Sequence, residues 1–149
     1  ASRMNYTMMG DTVNLAARLE ASAKQYGIYI QIADTTYQPV KDQIVIRDLD
    51  FVRVMGKTEP AQVYELISET GQEPELYKKI LPAFHEALAL YRNQEWNNAI
   101  EAFKASDELE DMFPGRKTNP SRIYIPRCEH YRDNSPGDDW DGAWTLTSK

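Results

Sequence analysis

Cysteine is nearly absent from this chain of 149 residues: Cys128 stands alone, so no internal disulfide can form, and it reads as a plain thiol suited to a reducing compartment. Histidine is almost as scarce. His85 has no acid or thiol at a catalytic spacing, which gives it a structural reading, and Arg127-Cys128-Glu129-His130 with nearby Asp133 lacks a second Cys or His at ligand spacing, which argues against a metal centre there. No apolar run approaches the roughly 20 residues that span a bilayer, and the opening Ala-Ser-Arg-Met-Asn-Tyr lacks the layout of a signal peptide. Lys/Arg-rich runs are missing too, which argues against nucleic acid as a partner, because a nucleic-acid binder needs a basic stripe to neutralise phosphates.

The formal net charge is -6, and it is unevenly shared. Residues 1–67 carry seven Lys/Arg and eight Asp/Glu, whereas the remainder carries ten and fifteen, so the acidity belongs to the tail. The hydrophobic patterning changes at the same place. Residues 4–9 are strand-like and run into Gly10-Asp11, where Asp11 suits the N-cap of a helix predicted over residues 12–26. That helix has Val13, Leu15, Ala16, Ala17, Leu19 and Ala23 at helical spacing and Gly27 as its stop. A short buried strand is predicted over residues 28–32, then a brief helix opened by Asp34 and limited by Pro39. Two further strands, residues 44–55 and 61–67, flank the turn-rich Gly56-Lys57-Thr58-Glu59-Pro60. Strands of this kind alternating with helices predict an α+β sandwich with antiparallel elements.

Beyond a polar link at residues 68–74 the period becomes helical, over residues 75–93 and 96–109, joined by a tight polar turn. Ala87, Leu88, Tyr91, Ala99 and Phe103 resemble the small and aromatic positions of a single tetratricopeptide unit. One such unit cannot bury its own apolar face, so the hairpin is expected to pack on the first domain or on a partner protein. Residues 114–149, punctuated by Pro114-Gly115, Pro120, Pro126 and Ser135-Pro136-Gly137, are expected to be an irregular tail anchored by Ile123, Tyr124, Ile125, Tyr131, Trp140 and Trp144. The domain reading is therefore 1–68, 69–113 and 114–149.

Asn14 and Arg18 stand four residues apart, on one face of the predicted helix. An amide and a guanidinium so placed suit a ribose oxygen and a phosphate, since the planar Arg fork matches phosphate oxygens and stays charged. On an arbitrary helix the same two residues would simply be polar surface. The surrounding string decides between the readings. Tyr6-Thr7-Met8-Met9-Gly10-Asp11-Thr12-Val13-Asn14-Leu15-Ala16-Ala17-Arg18-Leu19-Glu20 closely resembles the motif of class III adenylyl and guanylyl cyclases. A second stretch, Val52-Arg53-Val54-Met55-Gly56-Lys57-Thr58-Glu59-Pro60-Ala61-Gln62-Val63-Tyr64-Glu65-Leu66, is similar to that family's closing hairpin.

The resemblance implies the C-terminal portion of a ferredoxin-like (βαββαβ) cyclase domain, converting ATP to cyclic AMP and pyrophosphate. It implies that Asn14 and Arg18 stabilise the transition state as the ribose 3′ oxygen attacks the α-phosphate. Thr7 stands where the family reads the purine, and Thr there points to ATP; it is equally a β-branched residue suited to a strand. In the hairpin the first Lys of the family's Lys-Gly-Lys turn is replaced by Met55. Lys57, in the second position, reads either as a phosphate contact or as a solubilising charge at a hairpin tip. The Asp residues that hold the paired Mg2+ (or Mn2+) ions in the family are expected upstream of Ala1, so no metal ligand is assigned in this chain, and Asp11, Asp138, Asp139 and Asp141 are not read as ligands. The family also implies a head-to-tail homodimer with shared active sites, a cytoplasmic location, and a longer parent attached to the inner membrane by an upstream region. This portion alone is expected to be inactive. A competing reading, motivated by Met55 and the missing front strands, makes the chain a cyclase relic whose helical tail docks a partner protein.

Overall fold

The computed structural model describes residues 23–53, 58–110 and 117–146. Residues 23–26 are helical and end on Gly27, as the apolar spacing predicts. The stop is a Schellman turn: the Ile28 N–H donates to the Ala23 carbonyl at 3.1 Å and the Gly27 N–H to the Lys24 carbonyl at 3.2 Å. Gly27 takes φ 73°, which a side chain would resist. Ile28 is pulled back into contact with the cluster of Ala23, Tyr26, Leu49 and Val63, so it completes the helix cap rather than starting a strand. Strand β1 accordingly begins later than its β-branched residues suggest, at Gln31–Ala33, and Ile30 is left half exposed.

Helix α1 (Asp34–Tyr37) is one turn and passes into a 3-10 turn at Gln38–Val40, where Pro39 stops it. Strands β2 (Ile44–Arg53) and β3 (Ala61–Glu69) form the antiparallel hairpin that the sequence predicts, with β1 antiparallel to the outer side of β3. A fourth strand, β4 (Trp144–Thr145), runs parallel to β2 and gives a mixed sheet in the order β1-β3-β2-β4. One irregularity in β2 matters for everything below. The register steps from Asp48 opposite Tyr64 to Asp50 opposite Val63, so Leu49 is an extra, bulged residue. Strict alternation would turn Leu49 and Asp50 to opposite faces; the bulge lets both be buried.

Three helices follow: α2 (Tyr77–Arg92), α3 (Trp96–Glu110) and α4 (Pro120–Asp133). The first two are the expected hairpin, reversed at Gln94, whose φ is 62°. The third corrects the expectation of an irregular stretch after residue 114. Asn119 caps α4 by accepting the Arg122 N–H on its side chain, and Pro120 occupies the first turn, where its missing N–H costs nothing. Pro126 is carried inside the helix. The apolar face of the hairpin, Phe84, Ala87, Leu88, Tyr91, Ala99, Ile100 and Phe103, is closed by Tyr124 and Cys128 of α4. The hairpin therefore finds its neighbour within this chain. Among the described residues no helix is long and apolar enough to cross a membrane.

Candidate functional site

Thr7, Asn14, Arg18 and Lys57, and Met55 with them, lie outside the described residues. The described residues show what surrounds residues 23–27, which follow the first stretch in sequence, and β2 and β3, which carry the described part of the second.

Asp50 is the centre of the arrangement, 1% exposed on the bulge of β2. A buried carboxylate is tolerable only if it is paired and its lone pairs are filled, and this one meets four donor groups. Tyr26, from the last helical turn before Gly27, donates its hydroxyl to Oδ2. The single hydroxyl proton of Tyr124 of α4 is shared between Oδ1, at 3.0 Å, and the Leu49 carbonyl, at 2.8 Å. Arg127, one turn further along α4, places its guanidinium against both carboxylate oxygens at 2.9 Å, a bidentate pair. The Phe51 N–H completes the set at 2.8 Å.

The electrostatics agree with the geometry. Burial and then the Asp50 charge raise the Tyr26 pKa, so the phenol keeps the proton it donates. Burial likewise raises Tyr124, with Asp50 adding to it. For Arg127 burial works against the charge, but Asp50 more than offsets it and the pKa rises. The guanidinium also lies over the rings of Tyr124 and Trp144, 5.0 and 4.7 Å from their centres.

A second buried cluster centres on Arg47, three residues before Asp50 on the same strand. Arg47, fully buried, pairs with Glu65 of β3 at 2.8 Å and with Glu110 at the end of α3, and its guanidinium covers the Phe84 ring at 4.8 Å. Sheet, α2 and α3 thus meet on one cation. Close by, His85 accepts the Asp48 backbone N–H on Nε2 at 3.0 Å. Burial lowers its pKa, Asp48 works against that, and Arg47 and Arg92 add to the lowering. His85, Asp48 and Arg92 line an open pocket of about 490 Å³ between β2 and α2.

The hairpin end is held by the tail. Arg53, the last described residue of β2 before residues 54–57, forms an ion pair with Asp141 and donates to the Thr145 hydroxyl at 3.1 Å and the Thr58 carbonyl at 3.0 Å. The Leu146 N–H donates to the Arg53 carbonyl at 2.9 Å. Trp140-Asp141-Gly142-Ala143 forms a clip: the Trp140 indole donates to the Ala143 carbonyl and the Ala143 N–H to Asp141, both at 2.9 Å. Arg53 is therefore occupied by the tail. Cys128 is buried, and its thiol is pushed up to about 12 by that burial, so it is inert rather than catalytic. Among the described residues no three His, Cys, Asp or Glu side chains gather to hold a metal ion.

Sequence reasoning missed Asp50, Arg127, Arg47 and Glu110 as a set. Their partners lie from 18 to 77 residues apart, and pairs so distant leave no periodic signal. The available clue was two acids and an arginine, Arg47, Asp48 and Asp50, in a strand otherwise apolar enough to be buried.

With this geometry in view, comparison with known proteins gives one consistent result. The chain is 36% identical over 131 residues to the terminal-differentiation specific adenylate cyclase of Dictyostelium discoideum, a match that takes in 85% of this chain and 6% of that protein. It is 35% identical over 65 residues to adenylate cyclase 1 of Rhizobium meliloti (strain 1021) and 37% identical over 68 residues to the adenylate cyclase of Anabaena cylindrica. The sequence is related to adenylate cyclases. Each of the latter two matches takes in 44% of this chain, and they cover 10% and 14% of the relatives' lengths. A match over 85% of the chain is longer than either the part before the polar link or the part after it, so the Dictyostelium relative shares some of the helical portion as well. No protein-family model and no solved structure matches the chain.

Proposed function

We propose that this chain is the C-terminal portion of a ferredoxin-like, class III adenylate cyclase domain, acting in the cytoplasm, in which Asn14 and Arg18 stabilise the transition state of ATP cyclisation. The observation that carries the reading is the string of residues 6–20, supported by 36% identity over 131 residues to a protein named adenylate cyclase. In the reaction the ribose 3′ oxygen loses its proton and bonds to the α-phosphorus, while the bond from that phosphorus to the β-phosphate bridging oxygen breaks and pyrophosphate leaves. Negative charge moves onto the leaving phosphates. A guanidinium and an amide fixed on one helical face meet that charge without reorganising, and a single donor of this kind is worth roughly a hundredfold to a thousandfold in rate. Thr7 contacts the adenine edge and Lys57 the triphosphate in this reading.

The metal ions of the reaction, Mg2+ or Mn2+, supply charge neutralisation and activation of the attacking oxygen. We assign none of their ligands to residues of this chain. A second protomer, packed head to tail, provides them in the assembled enzyme, and this chain provides the donors opposite.

The test is cyclic AMP formation by the complete protein and by its Asn14→Ala and Arg18→Ala forms. Each substitution is expected to lower kcat at least about a hundredfold, and mixing an Arg18→Ala protomer with one lacking the metal ligands is expected to restore part of the activity. Unchanged rates in the single variants would remove the assignment. The competing reading, a relic that docks a partner through its tail, finds little support in the packing. The tail aromatics Tyr131 and Trp140 pack against Tyr91 and Trp96 of the hairpin, with ring centres 5.1 to 6.2 Å apart, and so are already partly buried within this chain.

A further inference from the structure

The pocket of about 490 Å³ between β2 and α2 takes no part in the proposed function, yet it gathers an acid, an imidazole and a guanidinium. His85, Leu88, Ala89 and Arg92 lie three or four residues apart in turn, on one face of α2, and Asp48 of β2 and Asn93 complete the lining. We infer that this pocket binds a small zwitterion, an aliphatic α-amino acid, with its ammonium on Asp48, its carboxylate on Arg92 and His85, and its side chain on Leu88 and Ala89.

Opposite charges line the cavity without neutralising one another. Among the described residues Asp48 and Arg92 form no ion pair, either together or with a third group. Arg92 is anchored elsewhere: its Nη2 donates to Oε1 of Gln62 on β3 at 3.2 Å, and the Gln62 amide donates in turn to the Val63 carbonyl at 3.0 Å. That contact uses one N–H of the guanidinium and leaves the rest of the fork for a carboxylate, whose geometry it matches.

His85 feels both charges, Asp48 raising its pKa and Arg92 lowering it. Because Nε2 accepts the Asp48 backbone N–H at 3.0 Å, the proton of the neutral ring sits on Nδ1. Among the described residues that Nδ1–H meets no acceptor, so it is a second donor for an anion beside Arg92. The other cation near this ring, Arg47, is committed to Glu65 and Glu110 and adds nothing to the pocket.

This charge arrangement selects against ligands of one sign. A plain anion would gain Arg92 and His85 but face Asp48, and a plain amine would gain Asp48 but face Arg92; a ligand carrying both charges satisfies both ends. The volume lies within the range of small-molecule sites. Leu88 and Ala89 offer no hydrogen-bonding side chain, which suits an aliphatic arm on the ligand.

The test is equilibrium dialysis of the complete protein with radiolabelled L-leucine, with isocaproate, which is leucine without its ammonium, and with isoamylamine, which is leucine without its carboxylate. L-leucine is expected to bind saturably with a Kd of about 1 mM or below, and each of the other two at least about tenfold more weakly. Asp48→Asn and Arg92→Gln are each expected to weaken L-leucine by at least about tenfold, the equivalent of one charged hydrogen bond. Asp48→Asn is expected to leave isocaproate no weaker, since it removes the repulsion, and Arg92→Gln to do the same for isoamylamine. Saturating L-leucine is also expected to slow amide hydrogen exchange over residues 45–50 and 85–93. Lys104→Ala, on the exposed face of α3, is the control and changes none of these.

No saturable binding of L-leucine at tenfold that Kd, or binding that both variants leave unchanged, overturns the inference. Equal affinity for isocaproate or for isoamylamine overturns it too, because the pocket would then take a simple anion or a simple amine. Should Asp48→Asn fail to fold, Arg92→Gln at the exposed rim decides by the same measurements. No readout uses cyclic AMP, so this inference and the proposed function stand or fall separately.

Discussion

A titratable side chain packed wholly or partly out of water beside a strand must be either neutral or compensated, and half-buried His85 and buried Arg47 show the two solutions within 40 residues of one another. Arg47 keeps its charge by meeting Glu65 and Glu110, and removing one member of such a buried ion cluster costs about 3–5 kcal/mol. His85 instead stays neutral, with Nε2 accepting the Asp48 N–H. Its pKa is lowered in the folded state, chiefly by burial, so the unfolded chain binds the proton more readily. The stability contributed by the neutral ring is complete above the unfolded pKa of about 6.5 and is lost as pH falls through the lower folded value. Urea unfolding between pH 7.5 and 5 is expected to show a decline that is shallower in His85→Gln, whose amide oxygen can still accept the Asp48 N–H. Equal slopes would mean that His85 remains protonatable in place.

Among the elements, the helix ending at Tyr26 is the most legible, because Gly27 after a run of helical spacing is a local signal and the Schellman turn is a local structure. Even there the fold adds a demand. Gly27 needs φ 73° and also lacks room for a Cβ against Thr118, so Gly27→Ala combines a left-handed penalty of about 1–2 kcal/mol with a backbone clash. A loss of at least about 2 kcal/mol is expected in denaturant unfolding; a loss under 1 kcal/mol would show that the approach to α4 yields. Helix α4 was less legible, since Pro120 and Pro126 read as punctuation. Asn119-Pro120 is nevertheless a cap followed by a first-turn proline, and Tyr124 and Cys128 are spaced for one helical face. The bulge at Leu49 had no sequence signal at all, because it depends on what Asp50 meets across the fold.

For the whole molecule, the three sections read from composition share their buried surfaces. The helical hairpin is closed by α4, α4 is pinned to β2 by Asp50, and β4 extends the sheet. A chain ending at residue 116 would strip Tyr124 and Arg127 from Asp50 and uncover Phe84, Tyr91 and Phe103. Such a chain is expected to lose cooperative thermal unfolding and to self-associate in gel filtration; a monomer with a sharp transition would mean that the tail is an accessory.

The sequence by itself determined the helix stop at Gly27, the β2–β3 hairpin and the helical pair, because each is written in neighbouring residues, and its overall likeness relates the chain to adenylate cyclases. Only the tertiary structure decided that the tail belongs with the strands. Asp50 and Arg127 are 77 residues apart, and a buried charge reveals its partner only when the chain has folded around both.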